Sequence, residues 1–317
     1  MEKMDAESYL KTGSNELRIL EYRIAGQSFG INILKVSKIV NNLTDFTKVP
    51  ESHPAVPGMF RDQGRIIPLI DLTVFLGTDA IDSKREKVVV TEFFGMLTGF
   101  RVERVDWIHH FKWEDVIDSQ TVFSGIDQKY VIGIVKPTED RMILLLDYET
   151  ILLDLSPHLR AKDITSYKGD SDFNGKRVLI AEDSPAVRSM LANEMSELGF
   201  EVNDFSDGEQ AWKAFQEGPY DLVISDVEMP QMDGLALTMR IRQSDNPETP
   251  VIVYSSIGDI GMKARASFLK ADAHVTKLNL DLLIETADKL MRGEKVNPDE
   301  MTASVPEPEI TETVSIE

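Results

Sequence analysis

From residue 177 onward, short apolar runs alternate with stretches of helical periodicity. The runs are RVLIA (177–181), EVNDF (201–205), DLVIS (221–225), VIVYS (251–255) and HVTK (274–277). Between the first two, Val187, Met190, Leu191, Met195 and Leu198 recur at helical spacing, after a Ser184-Pro185 start and before Gly199, which supplies both the opening and closing signals of a helix. Ala211, Ala214 and Phe215 predict a second helix, and Leu235, Leu237, Met239 and Ile241 a third. Met262, Ala266 and Leu269 predict a fourth, and Leu283, Ile284, Ala287, Leu290 and Met291 a fifth. Five strand-helix units in succession imply an α/β, flavodoxin-like fold, with a five-stranded parallel sheet wound on both faces.

The first half is patterned differently. Leu20, Tyr22 and Ile24 alternate, Ala25-Gly26-Gln27-Ser28 turns the chain, and Phe29, Ile31 and Ile33 alternate again, which predicts a hairpin. KVVVTEFF (87–94), GMLTGFRV (95–102) and KYVIGIVK (129–136) read as further strands. IIPLIDLTVFL (66–76) and MILLLDYETILL (142–153) echo one another. Each is an apolar strand, an Asp able to cap a helix (Asp71, Asp147) and an apolar helical turn. The echo predicts a mostly-β domain made of two similar subdomains.

Polar segments divide the chain into an N-terminal extension (1–14), a β-rich domain (15–155), a linker (156–174), an α/β domain (175–292) and a tail (293–317). The tail sets seven acids against Lys295 and contains Pro298, Pro306 and Pro308, a composition that cannot bury a core. A net charge of -20 opposes a sequence-independent grip on nucleic acid, so the expected partners are proteins. The absence of cysteine excludes disulfides, thiolate zinc sites and a cysteine nucleophile. The first twenty residues lack the pattern of a signal peptide, and no run of about 18 apolar residues occurs, so the expectation is a cytoplasmic protein without direct membrane insertion.

In a parallel sheet, function gathers at the carboxyl ends of the strands. Those ends carry Glu182-Asp183, Asp226, Ser255-Ser256 and Lys277. Three converging carboxylates call for a divalent cation, and oxygen ligands of this kind select Mg²⁺. A carboxylate is a competent nucleophile toward phosphorus, while Lys277 and Ser255 can meet the phosphoryl oxygens. The five histidines show no metal-ligand spacing; His109 and His110, beside Trp107, Phe111 and Trp113 in an apparent strand, are read as packing residues.

VLIAEDS, DLVISDVEMPQMDG and PVIVYSS followed by Lys277 resemble, in order, the motifs of response-regulator receiver domains such as CheY. The resemblance implies Asp226 as phosphoacceptor and Glu182, Asp183, Asp226 and the backbone carbonyl of Glu228 as Mg²⁺ ligands. It also implies Ser255 as the switch hydroxyl and Lys277 as the phosphate-binding lysine. Two positions depart from the family: Leu278 stands where proline usually follows the lysine, and His274 replaces the switch aromatic.

YRIAGQSFGINILKVSKIV, PAVPGMFRDQGRIIPLIDLTVFLG, LTGFRVERVDWI and YVIGIVK with ILLLD are similar to CheW-type coupling domains. That similarity implies two small β-barrels with surfaces for the histidine kinase CheA and for the cytoplasmic tips of methyl-accepting chemoreceptors. Arg61-Asp62-Gln63-Gly64 departs from the family's Asn-Leu-Arg-Gly, which leaves Arg61 or Arg65 to replace the usual arginine contact or to serve as solvated turn residues. A coupling domain followed by a receiver is the arrangement of CheV-type chemotaxis proteins. It implies a non-enzymatic adaptor between receptors and kinase, adjusted by phosphorylation of Asp226, with a phosphate sink as the alternative within signalling. An Mg²⁺-dependent phosphohydrolase with an aspartyl nucleophile is the alternative of another class; its expected Asp-x-Asp is here Asp226-Val227-Glu228.

Overall fold

The computed structural model describes residues 16–41, 43, 45–78, 86–94, 96–117, 127–156, 172–256 and 271–296. The N-terminal extension, most of the linker, the expected fourth helix around Met262 and nearly all of the acidic tail lie outside the described residues.

The first half begins with β1 (Glu16–Ile24), β2 (Gln27–Asn32), β3 (Val36–Asn41), β4 (Gly58–Asp62) and β5 (Arg65–Asp71), and then a one-turn helix, α1 (Leu72–Phe75). It continues with β6 (Lys87–Phe93), β7 (Met96–Val102), β8 (Arg104–Lys112), β9 (Val131–Thr138), β10 (Arg141–Leu146) and α2 (Tyr148–Leu155). The strands form two five-stranded sheets, ordered β8-β1-β2-β10-β9 and β3-β6-β7-β5-β4. Position by position the orders correspond: an antiparallel hairpin, β1-β2 or β6-β7, joins β10 or β5 in parallel, and that strand runs into a helix.

The echo in the sequence is therefore a structural repeat. Asp71 accepts the N–H groups of Thr73 and Val74, and Asp147 accepts that of Thr150 at 3.0 Å, each satisfying donors that a helix start leaves open. Alternation alone misplaced some boundaries. Ile33 leaves the strand for a 3-10 turn, Ile33–Lys35, because the Asn32 side chain accepts the N–H of Leu34, and Tyr130 falls in another turn, Gln128–Tyr130. Glu21 on β1, fully buried, collects Ser28 at 2.8 Å, Arg141 at 2.6 Å and His109 at 2.7 Å. His109 thus packs, its ring stacked on Phe111, and is also a polar partner, because a buried carboxylate must be paired. His110 is exposed.

The second half contains β11 (Arg177–Ala181), α3 (Pro185–Glu197), β12 (Glu201–Phe205), α4 (Gly208–Glu217), β13 (Leu222–Ser225), α5 (Gly234–Arg242), β14 (Val251–Ser255), β15 (Ala273–Thr276) and α6 (Leu280–Met291). All four pairings are parallel, in the order β12-β11-β13-β14-β15, so the chain reverses direction across the sheet between β12 and β13. β11 and β13 open the crevice where such sheets bind ligands. No helix among the described residues is long and apolar enough to cross a membrane.

The two halves are packed together. Tyr148 stacks on Phe93, sets its edge against Phe100 and hydrogen-bonds Tyr22. The apolar cluster that includes these residues continues through Ile151 and Leu152 of α2 to Val187 and Leu191 of α3. The first half therefore lays α2 against the first helix of the sheet domain.

Leu278 shows why proline is absent after Lys277. Its φ is +63°, which a pyrrolidine ring cannot adopt, and its N–H donates to the Tyr254 hydroxyl at 2.6 Å, a donor that proline lacks. Leu278→Pro is expected to cost about 3 kcal/mol or more, read as a lower urea midpoint for the transition of this half. An unchanged midpoint would show that the loop does not require this path.

Candidate functional site

The ends of β11 and β13, with Lys277 after β15, bring Glu182, Asp183, Asp226 and Lys277 together, and Ser255 ends the intervening β14. The β11–β13 ladder aligns Ala181 with Ser225, so the acids that follow, Glu182-Asp183 and Asp226, emerge side by side. Glu182, Asp183 and Asp226 each offer an oxygen within 4.8 Å of the others. Asp226 is anchored by its own backbone, its N–H donating to the Ala181 carbonyl at 2.8 Å, while its Oδ1 accepts the Val227 N–H at 2.6 Å. Gly234 lets the next loop close over it. A Cβ there would lie 1.8 Å from the Asp226 carbonyl oxygen, so the glycine that ends DVEMPQMDG is required by contact.

Lys277 follows β15, its N–H donating to the Ser255 carbonyl at 3.0 Å, and the residue is only 1 % exposed. Its ammonium donates to Glu182 Oε1 at 2.8 Å and Asp226 Oδ2 at 3.0 Å, and, in a contact the sequence did not disclose, to Glu149 Oε2 at 2.9 Å. Glu149 lies in the first turn of α2 in the other half of the molecule. The three donors of this ammonium are matched by three carboxylates. Ser255 and the neighbouring Ser256 are buried at the end of β14.

The other half contributes more than one side chain. Lys35, after β2, sits 3.8 Å from both Glu149 and Glu228, and Asn32 Nδ2 donates to Glu228 Oε2 at 3.4 Å. Ser184, the N-cap of α3, donates its hydroxyl to Asp147 Oδ2 at 3.1 Å. Glu228, expected to act through its backbone carbonyl, also turns its carboxylate toward this junction. Glu149 and Lys35 left one signal in the sequence, a charge inside the otherwise apolar ILLLDYETILL and INILKV segments.

Five carboxylates (Glu149, Glu182, Asp183, Asp226, Glu228) thus share two ammonium groups. Burial pushes Asp183 and Glu228 up to about 7 and Glu182 well above its ordinary range. Burial also drives Glu149 upward, but the Lys277 and Lys35 charges outweigh it and hold Glu149 below its usual value. The pocket is suited to a hard cation. Its donors are all oxygens, and Glu182 Oε2 and Glu228 Oε1 are buried without a hydrogen-bond partner.

Comparison with known proteins agrees with this division. The profile of the CheW-like domain family matches residues 18–156, and that of the response regulator receiver domain matches residues 178–288. Chemotaxis protein CheV3 of Helicobacter pylori is 31% identical over 299 residues, covering 87% of this chain and 95% of that protein. Chemotaxis proteins CheV1 and CheV2 of the same organism are 24% and 26% identical, with 84% of this chain matched in each case and 90% and 92% of theirs. Matched over nearly the full length of such relatives, with both domains in the same order, the chain belongs to the CheV family of chemotaxis proteins, a CheW-like domain fused to a response regulator receiver domain.

Proposed function

We propose that this protein is a cytoplasmic, non-enzymatic adaptor that couples methyl-accepting chemoreceptors to the histidine kinase CheA within receptor arrays, and that phosphorylation of Asp226 adjusts that coupling. The coupling domain runs over 15–155 and the receiver over 175–292, joined by 156–174 and followed by the acidic tail from 293. The observation that carries the reading is the buried cluster in which Glu182, Asp183 and Asp226 converge while Lys277 bonds Asp226 directly.

The chemistry follows from the placement of these groups. Val227 engages Oδ1 of Asp226, so Oδ2, held by Lys277, is the oxygen positioned to attack the phosphorus of the kinase's phosphohistidine. A P–O bond forms as the P–N bond breaks, and the departing imidazole keeps the bonding pair and takes up a proton. Lys277 and the Ser255 hydroxyl then serve the phosphoryl oxygens. Glu182, Asp183, Asp226 and the Glu228 carbonyl would hold Mg²⁺, which screens the carboxylates from the incoming anion.

Asp226→Asn is expected to abolish acid-labile labelling by phosphorylated CheA, as is chelation of Mg²⁺ in the unaltered protein. Label that survives acid, or that persists in Asp226→Asn, would contradict the assignment. A second expectation concerns pH. Burial pushes Asp183 up to about 7 by favouring its neutral form, and a ligand must be ionised, so Mg²⁺ affinity measured by calorimetry should rise at least roughly tenfold from pH 6 to pH 8. For folding the sign is opposite: the native state holds this proton more tightly, so the metal-free protein loses stability as pH climbs from the ordinary 3.8 toward 7. A pH-independent affinity would place the metal elsewhere.

A further inference from the structure

Lys277 has no donor to spare. Each N–H of its ammonium is matched by a carboxylate, and one of those, Glu149 Oε2, belongs to the coupling domain. Because Glu149 and Asp226 approach the same nitrogen at 2.9 and 3.0 Å, their oxygens are no more than about 6 Å apart. A phosphoryl group on Asp226 brings about −1.5 to −2 charge and three acceptor oxygens into that interval.

Of the three acids on Lys277, Glu149 is the one able to leave. Glu182 and Asp226 are fixed at adjacent ends of one sheet by the ladder pairing Ala181 with Ser225. Glu149 rides on α2, which meets the receiver through noncovalent contacts to α3 and through the Ser184–Asp147 hydrogen bond. We propose that Glu149 is an intramolecular stand-in for the phosphoryl group: it occupies Lys277 while Asp226 is unmodified and withdraws when Asp226 is phosphorylated, releasing α2 from the receiver. The inference rests on Asp226 as the acceptor. Its consequence is that the coupling domain senses phosphorylation through a residue of its own, placed two positions beyond the cap of α2. The differential contact that a two-state change requires is the exchange of one anion for another on Lys277.

The test uses the full chain with Mg²⁺ and radiolabelled acetyl phosphate as a small phosphodonor. Glu149→Gln, which keeps the shape and removes the charge, is expected to label at least roughly fivefold faster than the unaltered protein. In the unaltered protein, hydrogen exchange over 148–155 is expected to accelerate on phosphorylation, a readout that stands even where the variant fails to fold. Equal labelling rates in a folded Glu149→Gln protein, or unchanged exchange over 148–155 in fully labelled protein, overturns the inference while leaving Asp226 as the acceptor. Absence of label from the unaltered protein, or label retained in Asp226→Asn, removes the acceptor assignment and this inference with it.

Discussion

A single buried ammonium, that of Lys277, joins the two halves of this protein. It donates hydrogen bonds to Asp226 and Glu182 from the receiver and to Glu149 from the coupling domain within 3.0 Å, at a position almost closed to water. Burying ions is costly, and such a group persists only when each charge is matched. The acidic strand ends of the receiver need a cation, Lys277 is held there by the end of β15, and the remaining donor is satisfied from across the domain boundary. Because five carboxylates share two ammonium groups, a change of charge at Asp226 redistributes the demand on Lys277, which makes the junction sensitive to chemistry there.

The coupling domain is shaped to deliver that third partner. Its repeated strand-cap-helix unit ends once in α1 and once in α2, and only the second reaches the receiver site. Tyr148, packed on Phe93 and Phe100 and bonded to Tyr22, anchors the start of α2 in the core, and Asp147 caps it while accepting from Ser184 of the receiver. Glu149 is thereby aimed at Lys277 by groups on both sides. Lys35 adds a second cation over Glu149 and Glu228. A change in the occupancy of Lys277 therefore acts on a helix continuous with the coupling domain's core.

Most of the receiver was legible because buried parallel strands are short, dense apolar runs and their chemistry sits immediately after them. β11, β12 and β14 fall on RVLIA, EVNDF and VIVYS, and Asp71 and Asp147 cap the two helices that the echo implied. β3 was not singled out: it alternates only between half-buried and exposed positions, and Lys38 interrupts its apolar side. The turn at Ile33 depends on the Asn32 side chain, and the left-handed Leu278 on Tyr254, contacts that local patterning does not encode. Glu149 and Lys35 lie at distances of 128 and about 240 residues from Lys277 along the chain, so their role emerges only when two domains are docked.

The central claim is that the Lys277–Glu149 junction holds the domains together until Asp226 is modified. The chain has no cysteine, so Lys136→Cys and Ser196→Cys, both exposed, give a unique pair of spin-label sites, one on each domain. Electron–electron double resonance on the unphosphorylated protein should give one narrow distance distribution, replaced by a longer and broader one with Mg²⁺ and beryllium fluoride. A broad distribution already present before any addition would contradict the account.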